Sequence, residues 1–383
     1  AGRAAHADTG AATTTTKTKK KPRGVFILKV RKAQDACKTV CTLSHFFNKE
    51  AGYPIRIFAD EPVSDQQMEQ LRNSSGGVGA DIQVIVDTQR WRQIPSILNK
   101  TERELVIQGC INLDKPDVAT CTAMNVHIGY IYMGYWRYMH MADEPSLQEF
   151  DYFVSLDADS FLTQSPSHDP FDLMDTNNLN GFFNILAFQS GVMINGIQEA
   201  AEAVVPSLDE RKDRYLDHPN YTFMDDKGPW TSHYWSIWGC FYGGRLDFFR
   251  TSQFKKFART VAPFTYRFRT DEQPVIAVAW SLLGDGNKVW YLPMHDGIEM
   301  GVFHHGWVDN KEIVRRDVTP PEDQKHLYDD MLRRNQSYWR HTLNRTWDGF
   351  QELRMGKLMK VEDYTKTLGY TDDWEKCWLE PTK

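Results

Sequence analysis

Phe150-Asp151-Tyr152-Phe153-Val154-Ser155-Leu156-Asp157-Ala158-Asp159-Ser160-Phe161-Leu162 is the stretch on which the reading of the fold turns. Tyr152 to Leu156 are mostly apolar and β-favouring, as a buried central strand requires, and they run straight into Asp157-Ala158-Asp159. Two carboxylates one residue apart at such a strand end repel each other and lose hydration. A divalent cation removes that conflict, and hard Mg²⁺ or Mn²⁺ prefers oxygen ligands. An isolated Asp-x-Asp also caps solvated turns, so the rest of the chain has to decide between turn and metal site. An EF-hand loop is excluded, because Phe161 and Leu162 stand where a third ligand and a glycine are required.

The 383 residues suffice for one large domain or two ordinary ones, and 41% hydrophobic with 13% aromatic content indicates a sizeable core. A net charge of −6 argues against general nucleic-acid binding. No apolar run reaches the eighteen residues needed to span a membrane. Five N-glycosylation sequons, at Asn73, Asn99, Asn220, Asn335 and Asn344, favour a secretory lumen. Six cysteines, an even number, are compatible with disulfides there, and none has the spacing of a zinc site.

Residues 1–23 are rich in Ala, Thr and Lys with almost no large apolar side chains, which predicts a flexible leader or stem. Strands are expected at Gly24 to Val30, Tyr53 to Phe58 and Asp81 to Asp87, with a helical stretch from Ala33 to Asn48. Strands separated by helical lengths predict an α/β fold with a mainly parallel sheet, whose ligands collect beyond the carboxyl ends of strands. Lys29, Arg31, Asp60 and the Asp157 motif all fall at such ends, where Lys29 and Arg31 are candidates to meet phosphate. Met124 to Met141 reads as a buried aromatic helix, and helices are expected at Ile197 to Val205, from Ser252, and from Val275 to Leu283. Trp230 to Arg250 packs aromatics around glycines, so Trp238, Tyr242, Gly243 and Gly244 are candidates to wall a sugar acceptor. Residues 24–310 form the expected single large catalytic domain, and residues 311–383 a helical extension packed on it.

Four stretches, in order, resemble the fungal Golgi α-1,2-mannosyltransferases. They are Phe46-Phe47-Asn48 with Phe58-Ala59-Asp60-Glu61-Pro62; Phe150 to Asp159 with Asp169-Pro170-Phe171; Trp235-Ser236 with Asp247-Phe248-Phe249-Arg250; and Asp271-Glu272-Gln273-Pro274. The resemblance implies a GT-A-type, Rossmann-like mixed sheet flanked by helices. It also implies a luminal type II enzyme, with its anchor outside this chain, that uses GDP-mannose and manganese. Where that family has Glu-Pro, this chain has Asp157-Ala158. The family's Glu after Trp-Ser, discussed as a nucleophile, has no counterpart before Asp247.

By the same resemblance, Asp157 and Asp159 hold Mn²⁺ (or Mg²⁺), completed by His304 or His305, while Tyr130 and Ala158 contact the nucleotide-sugar donor. Asp271 and Glu272 are the carboxylates placed to orient or deprotonate an acceptor hydroxyl. The expected activity is retaining glycosyl transfer to a glycan or glycoprotein, with no nucleic-acid partner. A UDP-sugar donor such as UDP-galactose or UDP-xylose fits Asp157-Ala158-Asp159 equally well. A catalytically silent sugar-binding module on the same scaffold is the alternative of a different class.

Overall fold

Every residue of Gly24–Val30 (β1) is buried, because this strand lies in the middle of a sheet covered on both faces. The structure is a computed structural model of the chain. It describes residues 21–75, 81–86, 94, 96, 98–108, 128–184, 186–190, 194–205, 233–237, 239–284, 288–292, 295, 297–304, 307–308 and 311–312. The further strands are Ile55–Ala59 (β2), Ile82–Val86 (β3), Tyr152–Leu156 (β4), Phe161–Leu162 (β5), Gly181–Phe183 (β6), Leu186–Ser190 (β7) and His233–Ile237 (β8). They continue with Phe241–Arg245 (β9), Val289–Tyr291 (β10), Val302–His304 (β11), Trp307–Val308 (β12) and Lys311–Glu312 (β13).

The main sheet runs β10-β6-β9-β4-β1-β2-β3. β1 pairs in parallel with both β2 and β4, and β2 with β3. β9 is inserted antiparallel between β4 and β6, which makes the sheet mixed. Period-two alternation sends Val25, Ile27 and Phe153 to one face and Phe26, Leu28, Val154 and Leu156 to the other. The first face is covered by helices Ile128–Met139, Ser252–Phe268 and Glu272–Leu283. The second is covered by helices Cys37–Leu43 and Pro170–Asn177.

The expected helix of 33–48 is present as three segments: a 3₁₀ turn at Ala33–Ala36, an α-helix at Cys37–Leu43 and a π-type turn at Ser44–Asn48. The helix expected from Val275 starts earlier, at Glu272, with Asp271 as its N-cap. It is buried on nearly all sides, in keeping with its continuous apolar sequence. Asp247 lies in a helical turn, Leu246–Arg250, rather than in extended chain, and its Oδ1 accepts from Arg245 Nε at 3.0 Å on the exposed side.

A second sheet, β13-β12-β11-β5, positions the late histidine. β11 pairs antiparallel with β5 so that Phe303 faces Phe161 and Val302 faces Leu162. His304 therefore continues past Phe161 toward Ser160 and the Asp157–Asp159 turn.

Candidate active site

The carboxyl ends of β1 and β4 open on a cavity of about 370 Å³. Lys29, Val30 and Arg31 line it from β1, and Asp157, Ala158 and Asp159 from the turn after β4. Tyr130, Met133 and Arg137 reach it from one face of helix Ile128–Met139, at the spacing i, i+3, i+7. Asp35 and Gln273 complete the wall. The turn is held in place by its backbone: Asp157 N–H donates to Cys240 at 3.2 Å, Ser160 N–H donates to Asp157 at 3.0 Å, and Thr39 Oγ1 donates to the Ala158 carbonyl at 2.7 Å.

Each cationic side chain in this wall is matched with a carboxylate. Lys29 Nζ is bound to Asp60 Oδ1, and Arg31 Nε donates to Glu61 Oε1 at 2.8 Å on the exposed rim. Arg137 is buried and forks, with Nη1 donating to Glu272 Oε1 at 2.7 Å and Nη2 to Asp157 Oδ1. Arg137 was not legible as a site residue, although it is the only Lys, Arg, Asp or Glu between Met124 and Met141. A lone charge in an apolar helix has to find buried partners, and that was the available signal.

The carboxylates divide by environment. Asp159 is exposed. Burial pushes the Asp157 carboxyl up, and Asp159 and Glu272 add to this, while the Arg137 guanidinium opposes it. Burial, with Glu272 beside it, raises Asp271 well above the usual carboxylate range. For Glu272 burial acts in the same direction, but the neighbouring Asp271 and the Arg137 charge outweigh it and hold Glu272 below its ordinary value. The two carboxylates of this pair are thus shifted in opposite directions, Asp271 up and Glu272 down. Tyr130 donates to Asp271 Oδ2 at 3.3 Å.

Lys29, Arg31, Tyr130, Asp157, Ala158 and Asp159 line this one cavity, with Asp60 attached through Lys29. Asp271 and Glu272, expected to face an acceptor, instead stand buried behind Tyr130 and Arg137 and do not line the cavity. The start of their helix is packed against helix Ile128–Met139, which puts the carboxylates in a second layer.

The acceptor reading of β9 is also corrected. Tyr242 is fully buried in register with Ser155. A Cβ on Gly243 would stand 2.5 Å from Phe182, and one on Gly244 3.0 Å from Trp280. These two glycines admit aromatic core side chains, not a ligand. Gly239 is different, since its Cβ would lie 2.8 Å from Arg137 Nη1 and 3.5 Å from Glu272 Oε1. The segment Gly239–Gly244 has no carboxylate of its own, yet Glu272 brings one to its side. Trp238, His305 and the His304 side chain lie outside the described residues.

Among the described residues no three His, Cys, Asp or Glu side chains converge as a complete metal cluster. The donor set nevertheless fits a hard divalent ion: an exposed Asp159, a largely buried Asp157 held by Arg137, and a backbone path that leads His304 alongside.

The helix-flanked mixed sheet carries an Asp-x-Asp turn and a cavity at its carboxyl edge, an arrangement in keeping with a glycosyltransferase. The family model for glycolipid 2-alpha-mannosyltransferase matches residues 4–339, and the chain belongs to that family. Among solved structures it is similar to the mannosyltransferase Ktr4p of S. cerevisiae in complex with GDP, at TM-score 0.61 and 15% identity, covering 90% of this chain and 84% of that one. It is also similar to core-mannan synthase A of Aspergillus fumigatus in its Mn/GDP form, at TM-score 0.54 and 19% identity, covering 76% of each chain. At these identities the likeness speaks for the fold. Comparison with curated proteins gives no match.

The family is one of the secretory pathway. In keeping with an oxidising compartment, Cys41 is disulfide-bonded, whereas Cys37 and Cys240 take part in no disulfide. No helix among the described residues is long and apolar enough to cross a membrane.

Proposed function

We propose that the protein transfers mannose from GDP-mannose to a glycan or glycoprotein acceptor, with retention at the anomeric carbon, in the Golgi lumen and with Mn²⁺ (or Mg²⁺). Residues 24–312 are the catalytic domain of this reading, two residues more than expected because Lys311–Glu312 is a strand paired to Trp307–Val308; a stem at 1–23 precedes it and the helical extension begins after 312. One observation carries it. The cations of the cavity, Lys29, Arg31 and Arg137, are all paired with carboxylates, while Asp159 lines the same cavity at an exposed position. A diphosphate entering such a cavity needs a positive charge that these side chains have already spent on Asp60, Glu61, Asp157 and Glu272. The GDP complex of Ktr4p and the Mn/GDP form of core-mannan synthase A are consistent with that reading.

In this scheme Asp157 and Asp159, with His304 or His305, hold the ion. When bound, it supplies the positive charge that stabilises the departing diphosphate. Lys29 and Arg31 flank the phosphates, and Ala158 leaves room for the nucleotide sugar beside the turn. Tyr130 meets the donor with its ring, its hydroxyl being held by Asp271 behind it. A double displacement needs a carboxylate in contact with the anomeric carbon. Asp247 is turned to the exposed side, and Asp271 and Glu272 are behind the wall. The acceptor oxygen therefore attacks on the face from which the diphosphate leaves. The new C–O bond forms as the sugar–phosphate bond breaks, and the acceptor proton passes to a departing phosphate oxygen. Asp271 and Glu272 assist by holding Tyr130 and Arg137.

The test is to incubate the protein with GDP-mannose and a mannoside acceptor, with manganese or EDTA, and to determine the anomeric configuration of the product. An α-linked product formed only with metal supports the reading, whereas a β-linked product or trapping of a glycosylated carboxylate overturns the mechanism.

A further inference from the structure

Arg137 and Glu272 sit in a slot that two glycines keep open. Gly134, one helical turn before Arg137, faces Glu272 so closely that a Cβ there would stand 2.8 Å from Oε2. On the other side a Cβ at Gly239 would stand 2.8 Å from Arg137 Nη1. The guanidinium is almost fully buried, its Nε has no hydrogen-bond partner, and Oε2 of Glu272 is likewise buried without one. As a stabilising device this is poor, because an ion pair so placed loses hydration that its attraction barely recovers. Apolar side chains of similar volume would hold the helices together at least as well.

What the pair does achieve is orientation. The planar fork of Arg137 grips Glu272 with one nitrogen and Asp157 with the other, which a lysine's single ammonium cannot reproduce at the same two points. We infer that Arg137 is a positioning residue for the metal carboxylate Asp157, that Glu272 anchors Arg137 from behind, and that Gly134 and Gly239 are required for the clearance. The inference rests on the reading of Asp157 as a metal ligand. Partners that fix a ligating carboxylate commonly change metal affinity by about 10–100-fold when altered.

Manganese affinity, measured on the purified, donor-free protein by titration calorimetry, tests this without recourse to activity. Arg137→Lys keeps the charge but loses the fork, and Glu272→Gln touches no metal ligand. Gly239→Ala alters no charge and only displaces the guanidinium. Each is expected to weaken Mn²⁺ binding about 10-fold or more. Circular dichroism selects the folded variants, and Gly239→Ala, the mildest change, serves where the buried-pair variants do not fold. If folded variants bind Mn²⁺ within about twofold of the parent, a difference below 0.5 kcal/mol, the pair is merely structural and the inference fails. If the parent itself binds no Mn²⁺, the metal reading of Asp157 fails instead.

Discussion

Tyr130, on helix Ile128–Met139, donates its hydroxyl to Asp271 Oδ2 at 3.3 Å, and Asp271 is the N-cap of helix Glu272–Leu283. The contact ties the cavity wall to a carboxyl whose pKa burial and the adjacent Glu272 raise well above the ordinary range. The fold therefore binds this proton more tightly than the unfolded chain does. Its contribution to stability is complete below the unfolded carboxylate pKa of about 4 and is lost as pH rises through the raised folded value. Asp271→Asn mimics the protonated form, so the decline in melting temperature from pH 4 upward should flatten. Melting curves of the metal-free protein between pH 4 and 8 check this, and equal slopes for variant and parent would show Asp271 to be ionised.

Asp157 and Asp159 should behave differently when removed. From the two repelling carboxylates alone, loss of either is expected to leave the fold no less stable. The structure changes that expectation for Asp157, which neutralises a buried Arg137. Asp157→Ala should lower stability by about 1–3 kcal/mol in denaturant titration. Asp159→Ala, at an exposed position, should leave stability within about 0.5 kcal/mol. Both should reduce metal-dependent transfer by roughly 100-fold or more, and His304→Ala should do the same if His304 completes the shell. Parent-like turnover by Asp159→Ala and His304→Ala would remove the metal assignment.

The sheet was legible because its strands obey simple patterns: β1 and β4 are short apolar runs ending in charge, and the helices between them have the lengths that parallel crossovers need. The resemblance then located Asp157 and Asp159. Arg137 was missed because its partners lie 20 and 135 residues away, and a single arginine among aromatics has no period to reveal them. Gly243 and Gly244 were misread for a related reason. A sequence shows that a glycine permits close approach, but not that the approaching groups are Phe182 and Trp280. The burial of Glu272 was hidden too, since a carboxylate at a helix start is ordinarily solvated.

The corrected role of β9 has its own consequence. Gly243→Ala would press a methyl against Phe182 and the Phe153 carbonyl oxygen, so the variant should lose about 1–3 kcal/mol of stability. Its acceptor KM, measured below the melting transition, should stay near that of the parent. A rise in that KM with unchanged stability would restore Gly243 to the acceptor site.

Two sequons lie on described, exposed positions: Asn73 near the end of helix Asp65–Ser74, and Asn99 before helix Lys100–Ile107. Asn99 Oδ1 caps its helix by accepting from Glu102 N at 2.9 Å, and a glycan on Nδ2 leaves that oxygen available. Protein secreted from a eukaryotic host should lose mass on endoglycosidase treatment, less so for Asn73→Gln. An unchanged mass would contradict passage through the secretory lumen.

Donor choice tests the central claim most directly. With the three cavity cations paired to carboxylates, the proposed function makes nucleotide-sugar cleavage depend on added metal and takes GDP-mannose as the donor. Release of nucleotide from GDP-mannose, UDP-galactose and UDP-xylose should be followed in parallel, each with Mn²⁺ and with EDTA. The account predicts metal-dependent release of GDP from GDP-mannose, at a rate at least about tenfold above either UDP-sugar, a difference of about 1.4 kcal/mol in the barrier. Faster cleavage of a UDP-sugar, equal rates in EDTA, or no cleavage of any donor would contradict it.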